Sequence, residues 1–243
     1  MASRAATERS QTGGLERAAE GQRIRDAATL ILVRDRATGP RVLMGQRGDA
    51  AVFMPRKVVF PGGAVDPGDR QVRLAGAPGD LCSTRLEENS DCRAEALAAA
   101  GIRELFEETG QILGQRGVWD GAVPPGWEAF AAMGYLPDAA ALQFVFRAIT
   151  PPGRPRRFDA RFFLLDADNL ASDPDDFSAA SDELSLLQWI PLSEVRRFDL
   201  PFITEVVLAE VTARLHEPGP PAHVPFFRND DEESLFLRLR GGD

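Results

Sequence analysis

The sequence predicts an α/β or α+β fold, and three observations predict it. Short apolar runs of strand length recur, the stretch 93–110 carries helical spacing, and the order is strand, strand, strand, helix, hairpin, strand, helix. No internal repeat interrupts that order.

Taken in order, residues 1–22 are rich in Ala, Arg, Glu and Gln without a sustained apolar face. They read as a mobile tail, with a short helix near 15–20. Residues 25–34 read as a buried strand and 41–46 as a second, joined by the Ala37-Thr38-Gly39-Pro40 turn. Lys57 to Phe60 is a short third strand, stopped by Pro61-Gly62-Gly63, where paired glycines let the backbone turn and approach a ligand. Residues 64–94 carry Gly, Asp and Pro without a long period and read as a surface excursion. Beyond the helix, 118–125 is a loop and 126–134 a short helix facing Trp127, Phe130 and Met133 inward. Leu142, Phe144 and Phe146 alternate with Gln143, Val145 and Arg147 as in a half-buried strand, which pairs with 156–166 as a hairpin. Phe158, Phe162 and Phe163 read as core rather than as a base-stacking platform. A strand over 184–190 and a helix to Leu215, with Pro201 at its first position, follow. Leu235, Leu237 and Leu239 make an edge strand within a C-terminal extension, 216–243, and Asp230 to Glu233 read as a solvated turn.

The helix over 93–110 holds the chemistry. Ala94, Ala98, Gly101, Ile102 and Leu105 share an apolar arc, and Gly110 suits the left-handed residue that ends a helix. Glu104, Glu107 and Glu108 fall on another face within one turn, at the negative end of the helix dipole. Like-charge neighbours there cost roughly 0.2–0.5 kcal/mol per pair, and acids at a helix C-terminus about 0.3–1 kcal/mol each. Converging carboxylates of one sign suit a hard divalent cation such as Mg²⁺ or Mn²⁺. Arg154, Arg156 and Arg157 form a basic group able to take phosphate oxygens in bidentate fashion, or to stand solvated on the hairpin.

These residues resemble the Nudix hydrolase family, whose signature is Gly, five residues, Glu, seven residues, then Arg-Glu-apolar-x-Glu-Glu-x-Gly-apolar. Gly63 stands for the opening glycine and Glu95 for the first glutamate, with Arg103, Glu104, Leu105, Glu107, Glu108 and Gly110 completing the second half. Residues 64–94 then occupy the place of the usual five, and Gln111 stands where an apolar residue is normal. A subfamily with an interrupted box, associated with coenzyme A diphosphatase activity, is similar over FMPRKVVFPGGAVD and ITPPGRPRRFDARFFL. The resemblance implies an α/β/α sandwich with a mixed central sheet over 23–215. It implies Mg²⁺ or Mn²⁺ on Glu104, Glu107, Glu108 and the Gly63 carbonyl, with Glu104 or Glu107 as general base. Arg103 would orient a carboxylate such as Glu95, and Glu183 would supply a further carboxylate or substrate contact, beside Arg156 and Arg157 as phosphate ligands. The implied reaction is hydrolysis of a diphosphate linkage in a nucleoside diphosphate joined to another group, coenzyme A or acyl-CoA among them. The alternatives are ADP-ribose, NADH or dinucleoside polyphosphates as substrates, or a nucleotide sensor that binds without hydrolysis.

Bulk properties agree with a small-molecule partner. A net charge of −9 and a pI near 4.9 leave no basic excess for coating nucleic acid or anionic membrane. Cys82 and Cys92 make no metal-ligand pattern and read as reduced thiols. Neither a membrane span nor a signal-peptide core is visible, and the chain ends Gly-Gly-Asp rather than in a peroxisomal Ser-Lys-Leu, so the expected place is the cytoplasm, with a homodimer left open.

Overall fold

The computed structural model describes residues 23–49, 51, 53–217, 219–229 and 234–242. The tail and helix read in 1–22, and the turn read at 230–233, lie outside the described residues.

Strand β1, Ile24–Arg34, is buried at every position from Leu30 to Val33, as a strand covered on both faces must be. Leu30 and Leu32 face one core, while Ile31 and Val33 face the other. Strands β2 (Arg41–Arg47), β3 (Val58–Val59) and β4 (Gly62–Ala64) follow, then a 3-10 turn at Asp69–Gln71. Helices α1 (Asp80–Glu87) and α2 (Ala94–Thr109) come next, with Gly110 left-handed at φ 76° and its N–H donating to the Phe106 carbonyl. After β5 (Gly114–Arg116), α3 (Glu128–Ala132) and β6 (Tyr135–Pro137) come the hairpin strands β7 (Gln143–Ile149) and β8 (Arg157–Asp166). Strand β9 (Leu184–Pro191), helix α4 (Phe202–Arg214) and strands β10 (Val224–Asn229) and β11 (Ser234–Leu239) complete the chain.

The sheet runs β11-β10-β7-β8-β1-β2-β3, with β4 on β1 and β9 on β2. It is mixed: β1 with β8 and β10 with β7 are parallel, the remaining pairs antiparallel. Helix α2 packs on one face through Leu97, Ile102 and Leu105, and α4 on the other through Val207, Leu208 and Val211. That is an α/β/α sandwich. Each fully buried side chain of this size contributes about 1.5–3 kcal/mol of transfer free energy.

Several expectations change on packing. Helix α2 buries thirteen of its sixteen residues, so burial reaches well beyond the apolar arc and takes in Arg103 and Glu108. Gly101 sits where a Cβ would come 2.3 Å from Leu30 Cδ1, which is how closely the helix approaches β1. Phe144 and Phe146 do not share a face. A bulge between them shifts the register against β8, and Phe144 enters the α2 core while Phe146 enters the α4 core. Trp127 and Phe130 are buried, but Met133 is 45% exposed because α3 ends at Ala132. Pro201 caps α4 from outside, with extended ψ of 145°, instead of opening its first turn.

Residues 64–94 are not a surface excursion. Arg85, Leu86 and Cys92 are buried, and Arg85 donates to the carbonyls of Pro221, Ala222 and Arg240. Arg147, paired with Asp159 at 2.7 Å, donates to the carbonyls of Glu88 and Asn89, and Arg161 donates to Ser90 Oγ at 2.6 Å. These buried, charge-assisted bonds clamp the segment onto β7 and β8.

Candidate functional site

A cavity of about 860 Å³ is bounded by the Gly62-Gly63-Ala64 strand, the last turns of α2, the loop before β9 and the β7–β8 connection. Gly63, Glu104, Glu107, Glu183 and Arg156 all line it. Of residues 65–94, only Asp66 does, so that segment forms no roof.

The local chain explains the acidic end. Placing Glu104, Glu107 and Glu108 in the last turns before the Gly110 stop aims them toward β4. Strand β4 meets them with glycines for steric reasons. A Cβ on Gly63 would stand 2.3 Å from the Glu104 carboxylate. The Gly62 N–H donates to Glu108 Oε2 at 2.7 Å.

Glu108 is 1% exposed, and its other oxygen, Oε1, is buried with no hydrogen-bond partner. Burial, then the charge of Glu104, pushes its carboxyl well above the usual range. Burial lifts Glu104 to about 7, against the pull of Arg103 and with the help of Glu107. Glu107 is raised in the same sense, by burial, and lowered again by Arg103. A buried carboxylate oxygen without a donor costs a desolvation penalty of about 1–3 kcal/mol or more, and a cation would remove it. The donors are all hard oxygens, the orphaned one is buried, and the glycine leaves room for the Glu104 carboxylate. The residues therefore fit Mg²⁺ or Mn²⁺. Among the described residues no three acid, His or Cys side chains already form a cage. Arg103 Nη1 donates to Glu104 Oε1 and Glu107 Oε2, both at 3.0 Å, and partly offsets their charge.

Arg103 is the hub. Burial alone would lower its pKa, but its hydrogen bonds to Asp69 and the charges of Glu104, Asp69 and Glu107 raise it above the ordinary value, so the guanidinium stays charged. Its Nε and Nη2 donate to Asp69 Oδ1 and Oδ2 at 2.9 and 3.0 Å, and its Nη2 to the Ala64 carbonyl. Asp69, 1% exposed, also accepts from Trp127 Nε1 at 3.0 Å and from the Asp66 N–H at 2.8 Å.

Glu95 does not orient Arg103. It sits in the first turn of α2, eight residues or about 12 Å along the axis, and pairs with Arg93 at 3.3 Å. Asp69 takes that place, and the spacing contained the signal. Counted from Gly63, five residues lead to Asp69, an acid one methylene shorter than Glu, so the interruption falls in residues 70–102. Arg157 is corrected as well. It is 7% exposed, and its Nε and Nη2 donate to the carbonyls of Thr150 and Asn229, which fastens the hairpin to β10 instead of facing the cavity. Glu183 lines the cavity and pairs with Arg47 at 3.3 Å. Gln111 is fully buried and satisfied. It donates to the Asp173 and Asp176 carbonyls and accepts from Ser172 Oγ, latching the loop beside α2.

An acid cluster at a helix end, faced by glycines in an α/β/α sandwich, defines a candidate centre for metal-assisted phosphate chemistry. No family model matches the chain. Putative nudix hydrolase 7 of Caenorhabditis elegans is 29% identical over 182 residues, which is 70% of this chain and 52% of that protein. The chain thus spans about half the length of the curated relative it matches. The crystal structure of a NUDIX hydrolase from Alicyclobacillus acidocaldarius is 30% identical and superposes with a TM-score of 0.62, over 80% of this chain and 94% of the other. With that identity across nearly the whole of a solved relative, the chain belongs to the Nudix hydrolase family. No described helix is long and apolar enough to cross a membrane.

Proposed function

We propose that the chain is a Mg²⁺- or Mn²⁺-dependent hydrolase of the diphosphate linkage in a nucleoside diphosphate joined to another group, with coenzyme A or an acyl-CoA as first candidate. The observation that carries the reading is the orphaned Glu108 Oε1, one of three desolvated carboxylates of which the other two, Glu104 and Glu107, line a substrate-sized cavity. Glu104, Glu107, Glu108 and the Gly63 carbonyl would hold the ion. When bound, it supplies charge neutralisation of the diphosphate oxygens and a more acidic water.

The chain's own groups do the rest. Arg103, fixed by Asp69, holds Glu104 and Glu107 side by side. Glu107, the more open of the two with 42% of its side chain exposed, accepts the proton of the attacking water. That water forms the new P–O bond in line as the bridging oxygen leaves with the second phosphate. Glu183 and Arg47, paired with each other, line the same cavity.

Support for coenzyme A comes from the floor. Ala27, Ala160, Ala148 and Phe227 lie in register across β1, β8, β7 and β10, and all line the cavity. Four strands at ~4.8 Å spacing make an apolar run of about 14 Å between the first and last. An uncharged, extended arm suits such a trough.

Product chromatography after incubation with Mg²⁺ or Mn²⁺ tests the proposal over coenzyme A, NADH, ADP-ribose and diadenosine polyphosphates. The expected outcome is cleavage of coenzyme A to two phosphomonoester-bearing halves, abolished in Glu107→Gln with the fold retained. Tight binding without turnover of any of them would make the chain a sensor instead.

A further inference from the structure

Five arginines line the cavity, and two of them differ from the others. Arg25 pairs with Asp66, Arg47 with Glu183 and Arg103 with Asp69. Arg154 and Arg156 have no carboxylate partner among the described residues, in a chain with 37 acidic and 28 basic side chains. Uncompensated charge of this sign, facing the cavity of an acidic protein, leaves a place for an anion.

The segment that presents them is stiff. Between β7 and β8 it runs Pro151-Pro152-Gly153-Arg154-Pro155-Arg156, with Gly153 left-handed at φ 79°. Its base is closed by the Thr150 N–H on the Phe158 carbonyl at 2.9 Å and the Phe158 N–H on Thr150 Oγ1 at 3.0 Å. Arg157 anchors it from below, and Phe158 packs edge-on against Phe53 at 5.4 Å. Proline bracketing reduces the ordering cost of using the two guanidinium groups.

Position selects the anion. Gly63 pairs with Ala28, which is in register with Arg161 on β8, and Arg156 lies five residues before Arg161. Two strand spacings across and five residues along put the Gly63 and Arg156 backbones about 19 Å apart. A glutamate reaching in from one side and an arginine from the other leave the span of one ribose with a phosphate at each end. A diphosphate cleaved at the carboxylates is too far away to be the group these arginines meet.

We propose that Arg154 and Arg156 form a subsite for a phosphate monoester on the substrate's ribose, so that the protein selects 2′- or 3′-phosphorylated nucleoside diphosphate derivatives over their unphosphorylated counterparts. This rests on the hydrolase reading above and narrows it. Planar guanidinium groups bind a dianionic monoester in bidentate, charge-assisted fashion, and they gain far less from a bare ribose hydroxyl pair, whose oxygens accept hydrogen bonds but carry no charge.

The test compares kcat/KM for coenzyme A against 3′-dephospho-coenzyme A, and for NADPH against NADH, in the wild type and in R154Q/R156Q. The expected wild-type ratio is at least tenfold for one pair, carried by KM, and the double variant brings it near one. The coenzyme A pair reports a 3′-phosphate and the NADPH pair a 2′-phosphate. Ratios near one in the wild type, with turnover intact, overturn the subsite and leave the hydrolase reading standing. A ratio that survives in the double variant overturns it too. If none of the four is hydrolysed, calorimetry with adenosine 3′,5′-bisphosphate, adenosine 2′,5′-bisphosphate and AMP decides. A bisphosphate binding tenfold tighter than AMP, lost in R154Q/R156Q, upholds the subsite, and equal binding of all three removes it.

Discussion

Stability against pH, with and without a divalent cation, follows directly from the geometry of the acid cluster. The perturbation is removal of metal by EDTA, combined with Glu104→Gln. In the metal-free protein the Glu104 carboxyl is lifted from 4.5 to about 7, first by burial. Its side chain is 14% exposed, so solvent screening is slight. A folded-state pKa raised above the unfolded one means stability is complete below pH 4.5 and is lost as pH rises through 7. The loss is about 3 kcal/mol for this group. At roughly 2–4 °C per kcal/mol for a chain of this size, that is a fall of about 6–12 °C in Tm. Differential scanning fluorimetry at pH 5.5 and 8.0 measures it. About 2 kcal/mol of that loss falls between pH 5.5 and 8.0, so wild-type protein in EDTA should lose about 4–8 °C more Tm across this range than Glu104→Gln does. Millimolar Mg²⁺ or Mn²⁺ should raise the wild-type Tm at pH 8.0 far more than at pH 5.5, since binding requires the ionised carboxylates. Equal pH slopes in the two proteins, or a metal effect that is the same at both pH values, would refute the reasoning.

Other outcomes follow from the same contacts. Gly63→Ala puts a methyl group against the Glu104 carboxylate, so turnover should fall by at least about a hundredfold while circular dichroism stays native. Asp69→Asn weakens the anion facing buried Arg103 and should cost about 3–5 kcal/mol in urea denaturation. Glu95→Gln, at an exposed pair with Arg93, should stay within about 0.5 kcal/mol of the wild type. Arg157→Gln strands the Thr150 and Asn229 carbonyls and should lower stability by about 1–3 kcal/mol, without the substrate-ratio change expected of Arg154 and Arg156.

What could be read from the chain was what local periodicity encodes. Glu104, Glu107, Glu108 and Gly110 lie within two helical turns, so their common location needed only the helix and its stop. The order of strands and the hairpin of β7 and β8 were equally local. Choices among distant partners were not. Arg103 could have met Glu95 on its own helix or Asp69 thirty-four positions earlier, and burial with Trp127 decided for Asp69. Counting five residues from Gly63 would have found it, but the equally regular seven-residue gap from Glu95 to Arg103 competed. Likewise Arg156 and Arg157 are adjacent and chemically identical. Arg156, just before β8, lines the cavity, while Arg157, its first residue, bonds to backbone carbonyls. The bulge at Phe144 and Phe146 inserts a residue into the alternation that no period of two anticipates.

Titration with Mn²⁺, followed by the loss of the free-ion electron paramagnetic resonance signal in wild type and Glu108→Gln, bears most directly on the acid cluster as a cation site. At least one Mn²⁺ should bind the wild type, and affinity should fall at least tenfold in the variant, whose amide cannot offer the lone buried oxygen as an anion. Identical titrations of the two proteins, or no binding by either, would contradict it.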